Sequence, residues 1–196
     1  RSLPLADYGL EWIQPPLPFG HPLEDGTAVW LHPSIAETAA LLGADGQAYT
    51  RFMQPLVADW EKIEKAVLGP LPVSIHLLAL ARFGLAALQP AQSLAKRLFK
   101  GERGRALFAG LAGHAILPLD QPLTSAFAIV EGILGHSAGW PLARGGSQAI
   151  ADALAGYFQS LGGEIATGRA VQSLEELPAS RLTLLDITPR QLLAMA

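Results

Sequence analysis

The side chains best suited to acid–base or metal chemistry are five histidines: His21, His32, His76, His114 and His136. Their sequence gaps of 11, 44, 38 and 22 residues place no two at the short intervals of a local metal-ligand motif. Each is expected to be structural or solvated, and no metal site is expected. The chain has no cysteine, which excludes disulfides, thiolate metal sites, cysteine nucleophiles and a redox dithiol. No G-x-S-x-G nucleophile elbow, Walker loop or G-x-G-x-x-G is present. The pairs Gly101/Gly104, Gly110/Gly113 and Gly145/Gly146 have the wrong spacing for the last of these.

What remains is the stretch GWPLARGGSQAIADAL, Gly139 to Leu154. Gly145 and Gly146 let the backbone turn tightly and put no side chain in the way of a ligand. Ser147 can cap the helix that follows, and free N–H groups at a helix start, with Arg144 beside them, suit an anion or an electron-rich ring edge. An ordinary glycine-rich helix start has the same residues. A second charged feature is the basic stretch Lys96, Arg97, Lys100, Arg103 and Arg105, interleaved with Leu98, Phe99, Leu107 and Phe108. It reads either as a solvated helix face or as a contact for anionic lipid headgroups.

Composition limits the class of protein. The chain has 196 residues, half of them hydrophobic and 16% charged, with a formal net charge of -3. It is globular rather than disordered, and nothing in the charge balance predicts a nucleic-acid partner. No apolar run reaches transmembrane length: the longest, Leu123 to Trp140, is interrupted by Thr124, Ser125, Glu131, His136 and Ser137. The chain opens on Arg1, shows no signal peptide and closes within a new helical pattern, so a piece of a longer protein is expected.

The elements that must position these residues can be read along the chain. Gly9 to Pro16 and Thr27 to Pro33 predict strands, with a turn at Glu24 to Gly26 between them. Ser34 and Glu37 form a capping-box pattern, and Gly43 closes that helix. Tyr49, Phe52, Met53, Leu56, Val57, Trp60, Ile63 and Val67 recur at helical spacing; Asp45 is the expected cap, Pro55 a kink or split, and Gly69-Pro70 a stop. Ser74 to Leu88 is apolar almost all round and predicts a buried helix. A more polar helix starts at Pro90, and another covers Glu102 to His114. Leu123 to Gly139 predicts a helix with Phe127, Val130 and Leu134 on one side; Gly132 and Gly135 permit a close approach. Ile150, Leu154, Phe158 and Leu161 mark an amphipathic helix ended by Gly162-Gly163. Glu164 to Leu174 predicts two short strands around Gly168. Arg181 to Pro189 predicts a strand of the kind buried in a parallel sheet.

The run from Gly139 through Leu174 resembles the phytoene dehydrogenase-like family of FAD-dependent oxidoreductases. The shared pattern is Pro141 with Gly145-Gly146, a helix to Leu161, Gly162-Gly163, and Val171 with Leu174. GLEWIQPPLPFGHPLEDG, RALFAGLAGHAILPLDQPLTSAF and LLDITPRQLL also look like this family, in the same order. One departure is that both Ala143 and Arg144 precede the glycines, where many relatives have a single residue.

The resemblance implies an α+β, mostly helical chain. It would be the substrate domain of a two-domain FAD oxidoreductase (residues 1–140), followed by a return segment of the Rossmann-type FAD domain (residues 141–196). It implies FAD as cofactor in the full-length protein, with Gly145, Gly146, Val171 and Arg144 on the cofactor side. It also implies a hydrophobic, isoprenoid- or carotenoid-like substrate pocket near Trp140, Phe127 and Val130. Hydride transfer to flavin leaves the protein to supply position and polarity, and no residue stands out as catalytic. Without the dinucleotide motif this chain is expected not to bind FAD tightly. Leu182 to Ile187 is expected to pair with Ile165 to Thr167 or with a second copy. The expected location is the cytoplasm, with peripheral membrane contact. The alternative is a non-enzymatic helical module that binds a lipid or a protein partner.

Overall fold

The computed structural model describes residues 3–67, 69 and 76–195. The described chain is mostly helical with a few short strands. Its contacts divide it into two compact units, Glu11–Ser147 and Arg1–Leu10 with Gln148–Ala196.

The larger unit holds the core. Its hairpin joins β2 (Phe19–Pro22) to β3 (Ala28–Leu31), antiparallel, with Phe19 opposite Leu31 and His21 opposite Val29. The turn sits where the sequence predicts it: Asp25 Oδ1 accepts from the Thr27 N–H and hydroxyl, and Gly26 has φ +78°. The first strand of the hairpin is not Gly9 to Pro16, however. Pro15, Pro16 and Pro18 remove the N–H groups a ladder needs, and only β1 (Trp12–Ile13) remains extended. Its partner lies far along the chain, at β4 (Leu142–Ala143). Alternation in β3 buries Val29 and Leu31 and exposes Trp30, whose ring lies over Gly20.

Helices α1 (Ile35–Leu41), α2 (Gly46–Ala58) and α3 (Trp60–Val67) follow. Ser34 Oγ accepts from the Glu37 N–H and caps α1. Tyr49, Met53, Leu56, Trp60 and Ile63 are buried as their spacing requires. The break between α2 and α3 falls at Asp59 and not at Pro55, which stays inside α2. Asp59 offers its carbonyl to the Lys62 and Ile63 N–H groups and its carboxylate to Lys62 and Arg82. Asp45 does not cap α2 through its side chain. Its buried carboxylate instead accepts from the Lys100 and Gly101 N–H groups, at 2.8 and 2.7 Å, ahead of α6 (Glu102–Ala112). It thereby satisfies donors at a helix start some 55 residues away in sequence.

Helix α4 (Leu77–Ala87) corrects the expectation of an all-round buried helix. Ala79, Phe83, Ala86 and Ala87 face the core, while Leu77, Leu78 and Leu85 and the capping Leu88 are between 62 and 75% exposed. Alanines suffice for close packing on one side, and the leucines are left on the other. The predicted Ser74 start and the Pro70 stop lie outside the described residues.

α5 (Ala91–Leu98), α6 and α7 (Thr124–Ser137) complete the core. Ile129 and Ile133 of α7 are fully buried, in one cluster with Leu94, Phe99, Leu107 and Leu111. Each such side chain contributes about 1.5–3 kcal/mol on burial. The close approach expected at Gly132 and Gly135 is present: Met53 and Leu31 occupy the space their side chains would fill. The buried face is Ala128, Ile129, Gly132 and Ile133 rather than the Phe127 side. Val130 and Leu134 are half-buried and Phe127 is exposed.

In the smaller unit, α8 (Gln148–Ser160) packs on the Leu5–Tyr8 turn. Tyr8 lies against Tyr157 and Gly156 and hydrogen-bonds Ser160 through the two hydroxyls at 2.7 Å. Gly162, at φ +86°, ends the helix. The strands expected in Glu164 to Leu174 and in Arg181 to Pro189 are not formed. Neither segment has a ladder partner, and Leu182 to Ile187 does not pair with Ile165 to Thr167. A strand is stable only against neighbours that take its N–H and C=O groups. α9 (Pro189–Met195) starts with a full capping box: Thr188 Oγ1 accepts from the Gln191 N–H, and Gln191 Oε1 accepts from the Thr188 N–H, with Pro189 in the first turn.

Candidate functional site

The β1–β4 ladder carries the paired-glycine corner. Beyond Trp12 and Ala143 it continues for one more contact, the Arg144 N–H donating to the Glu11 carbonyl at 2.8 Å. The Arg144 guanidinium folds the same way, its Nε 2.7 Å from Glu11 Oε2. The Gly146 N–H donates to the Ala143 carbonyl and closes the turn. Gly145 and Gly146 have φ of +83° and +96°, and no atom lies within 4 Å of where a Cβ would stand on either. Glycine is therefore needed here for backbone shape, and the corner stays open to a ligand. Arg144 is committed to Glu11 and is not directed at an anion.

Next to the corner in sequence, Trp140 lines a hollow of about 280 Å³ with Glu131, Leu134, Ala138, Gly139 and Pro141. Gly139, at φ +75°, lets Gln14 pack where a side chain would be, and Gln14 Nε2 donates to the Ala138 carbonyl. The His114 ring meets Trp140 edge-on at 6.1 Å and Phe19 at 6.4 Å. His114 Nδ1 stands 3.8 Å from Glu131 Oε1, beyond hydrogen-bond length.

Of the sequence-derived pocket residues, Trp140 lines the hollow. Val130 and Phe127 share the α7 face that carries Glu131 and Leu134 (spacing i, i+3, i+4, i+7) but do not line it. Val171 belongs to the smaller unit, in a segment without a strand partner. Glu131 and His114 carry no signal in the sequence. Seventeen residues separate them, and only the packing of α7 beside the turn after α6 brings them together.

A second titratable pair sits elsewhere. His136 Nδ1 donates to the Pro33 carbonyl at 3.1 Å, which leaves Nε2 to accept from the Tyr49 hydroxyl at 2.6 Å. Burial holds the Tyr49 hydroxyl above its ordinary range and pushes His136 below its ordinary 6.5. Both ring nitrogens are engaged, so the pair latches α7 to α2. Two members of the basic stretch are also structural: Arg103 donates to the Ala28 carbonyl, and Arg105 Nε to the Phe99 carbonyl.

No protein-family model matches the chain, and no curated protein matches it. Among the described residues no three His, Asp or Glu side chains gather as a metal site, and no helix is long and apolar enough to cross a membrane.

Proposed function

We propose that the chain belongs to an FAD-dependent oxidoreductase of the phytoene dehydrogenase-like kind, acting on a hydrophobic substrate. The observation that carries this reading is the open Gly145–Gly146 corner, held by the β1–β4 ladder in sequence continuity with the Trp140 hollow. An exposed, side-chain-free backbone at positive φ suits the edge of a flavin ring. Arg144, tied to Glu11, does not suit a phosphate. On this reading Gly145 and Gly146 face the flavin. Flavin, when bound, supplies the hydride acceptor. The chain's own residues then bind and orient: Trp140 and Leu134 cover one end of the substrate and exclude water, and Val130 and Phe127 extend the apolar face along α7.

The test is the absorption spectrum of the protein expressed with its natural flanking sequence. A stoichiometric flavin spectrum supports the reading. A colourless protein overturns it. This chain alone, mixed with FAD, is expected to give no stoichiometric yellow complex.

A specific observation favours a second reading, a helical module that docks on a lipid or protein partner in the cytoplasm. Leu77, Leu78, Leu85 and Leu88 stand exposed together. Leu123, whose N–H donates to the Leu88 carbonyl, adds to them with Phe127. Contiguous exposed apolar surface of this kind marks interaction sites. Liposome flotation separates the readings: binding lost in a Leu78→Glu/Leu85→Glu variant by a protein without flavin would favour the module.

A further inference from the structure

Glu131 is a half-covered carboxylate without a strong partner. Its carboxylate side chain is 21% exposed, close to the 19% of Asp59. Asp59 is neutralised by Lys62 at 2.6 Å and Arg82 at 3.0 Å. Glu11, far more exposed, has Arg144 at 2.7 Å. Glu131 has only His114, at 3.8 Å, and among the described residues no lysine or arginine pairs with it. A carboxylate with no close cation of its own is free to take one from solution. The other walls of its hollow are Leu134, Ala138, Gly139, Pro141 and the Trp140 indole. A carboxylate and an indole on the wall of one hollow suit an organic cation, through the charge and the ring quadrupole.

We propose that the Glu131–Trp140 hollow binds the ammonium end of an aliphatic amine. The volume, about 280 Å³, takes a short alkylamine whole or the charged end of a longer one. The α7 face through half-buried Val130 and exposed Phe127 continues from Glu131 as a track for the alkyl part. The charge complementarity excludes a carboxylate or phosphate end, which Glu131 would repel. The inference deepens the oxidoreductase reading, and it rests on that reading only for calling the amine a substrate.

The experiment titrates this chain, without flavin, with hexylammonium, 1-hexanol and hexanoate, following the tryptophan indole N–H signals by NMR. The Trp140 signal among the four is identified by its loss in Trp140→Phe. Hexylammonium is expected to move that signal and to bind at least about tenfold more tightly than hexanol, with hexanoate weakest. Glu131→Gln is expected to erase the preference for hexylammonium over hexanol while leaving the melting curve near that of the parent. Equal binding of hexanol and hexylammonium to the parent chain would overturn the inference without needing any variant. So would an unmoved Trp140 signal, or an unchanged preference in a folded Glu131→Gln protein. The two readings fail separately. Amine binding in a protein whose full-length form lacks flavin removes the oxidoreductase and leaves the amine site; bound flavin without amine binding does the reverse.

Discussion

At the scale of single residues, the chain repeatedly uses a polar side chain to join distant segments. Asp45 ties the start of α2 to the approach to α6, and His136 ties the end of α7 to both α2 and the Pro33 carbonyl. The His136 tie is pH-sensitive in a definite sense. Burial lowers its folded-state pKa below 6.5, so the unfolded chain binds the extra proton first. The stability supplied by neutral His136 is complete above about pH 6.5. It is lost as the pH falls from there through the lower folded value. Urea midpoints measured from pH 8 down to pH 5 should therefore fall, and His136→Phe should flatten that part of the curve; an equal slope in the variant would assign it to other groups. Neither role is legible in the sequence. Asp45 reads as a cap for the helix next to it, and His136 stands 87 residues from Tyr49. A capping pattern names the nearest helix, whereas the actual acceptor serves whichever donors the packing brings within 3 Å. Glu131 and His114 are hidden for the same reason.

At the scale of elements, helices are legible in the sequence and strands much less so. The periodic run from Tyr49 to Ile63 is helical, with its buried stripe where the spacing puts it, because a helix makes its hydrogen bonds within itself. A strand depends on a partner the sequence does not name. Trp12–Ile13 pairs with Leu142–Ala143, while Ile165–Thr167 and Leu182–Ile187 have no such partner. Faces are harder than elements even for helices: α4 and α7 are apolar nearly all round, so periodicity does not say which side the core takes. The glycines test the faces directly. A methyl at Gly135 of α7 would meet the Leu31 side chain, whereas one at Gly84 of α4 meets nothing within 4 Å. Gly135→Ala is expected to destabilise by about 1–3 kcal/mol through overpacking. Gly84→Ala should stabilise by about 0.5–1 kcal/mol by removing backbone freedom from a helix interior. Opposite signs in the two denaturant midpoints are the expected result. Equal effects would mean that α7 does not pack on β3 as described.

At the scale of the whole molecule, the division into two units has a mechanical consequence. Every member of the main buried cluster, from Val29 to Ile133, lies within Glu11–Ser147. The segment from Pro178 to Thr188 forms no helix or strand, and Leu182 and Leu184 are largely exposed. Protease sensitivity follows local opening, which is easiest where backbone groups hydrogen-bond only to water and few apolar contacts resist it. Arg181 lies in that segment, and α6, which carries Arg103 and Arg105, does not open without exposing Leu107, Phe108 and Leu111. Brief trypsin treatment is therefore expected to cut first after Arg181. The product that retains residues 11–147 should keep its helical circular dichroism and a cooperative melt close to that of the intact chain. Early cleavage after Arg103 or Arg105, or a melt abolished by the cut at Arg181, would show that the core depends on the C-terminal segment. The same segment, though it forms no strand in the chain alone, is the one the sequence leads us to expect to pair with a second copy. Leu182→Lys/Leu184→Lys should leave the melt unchanged and, if two chains join there, convert the sedimenting species to a monomer. A parent chain that is already monomeric at high concentration would rule that contact out.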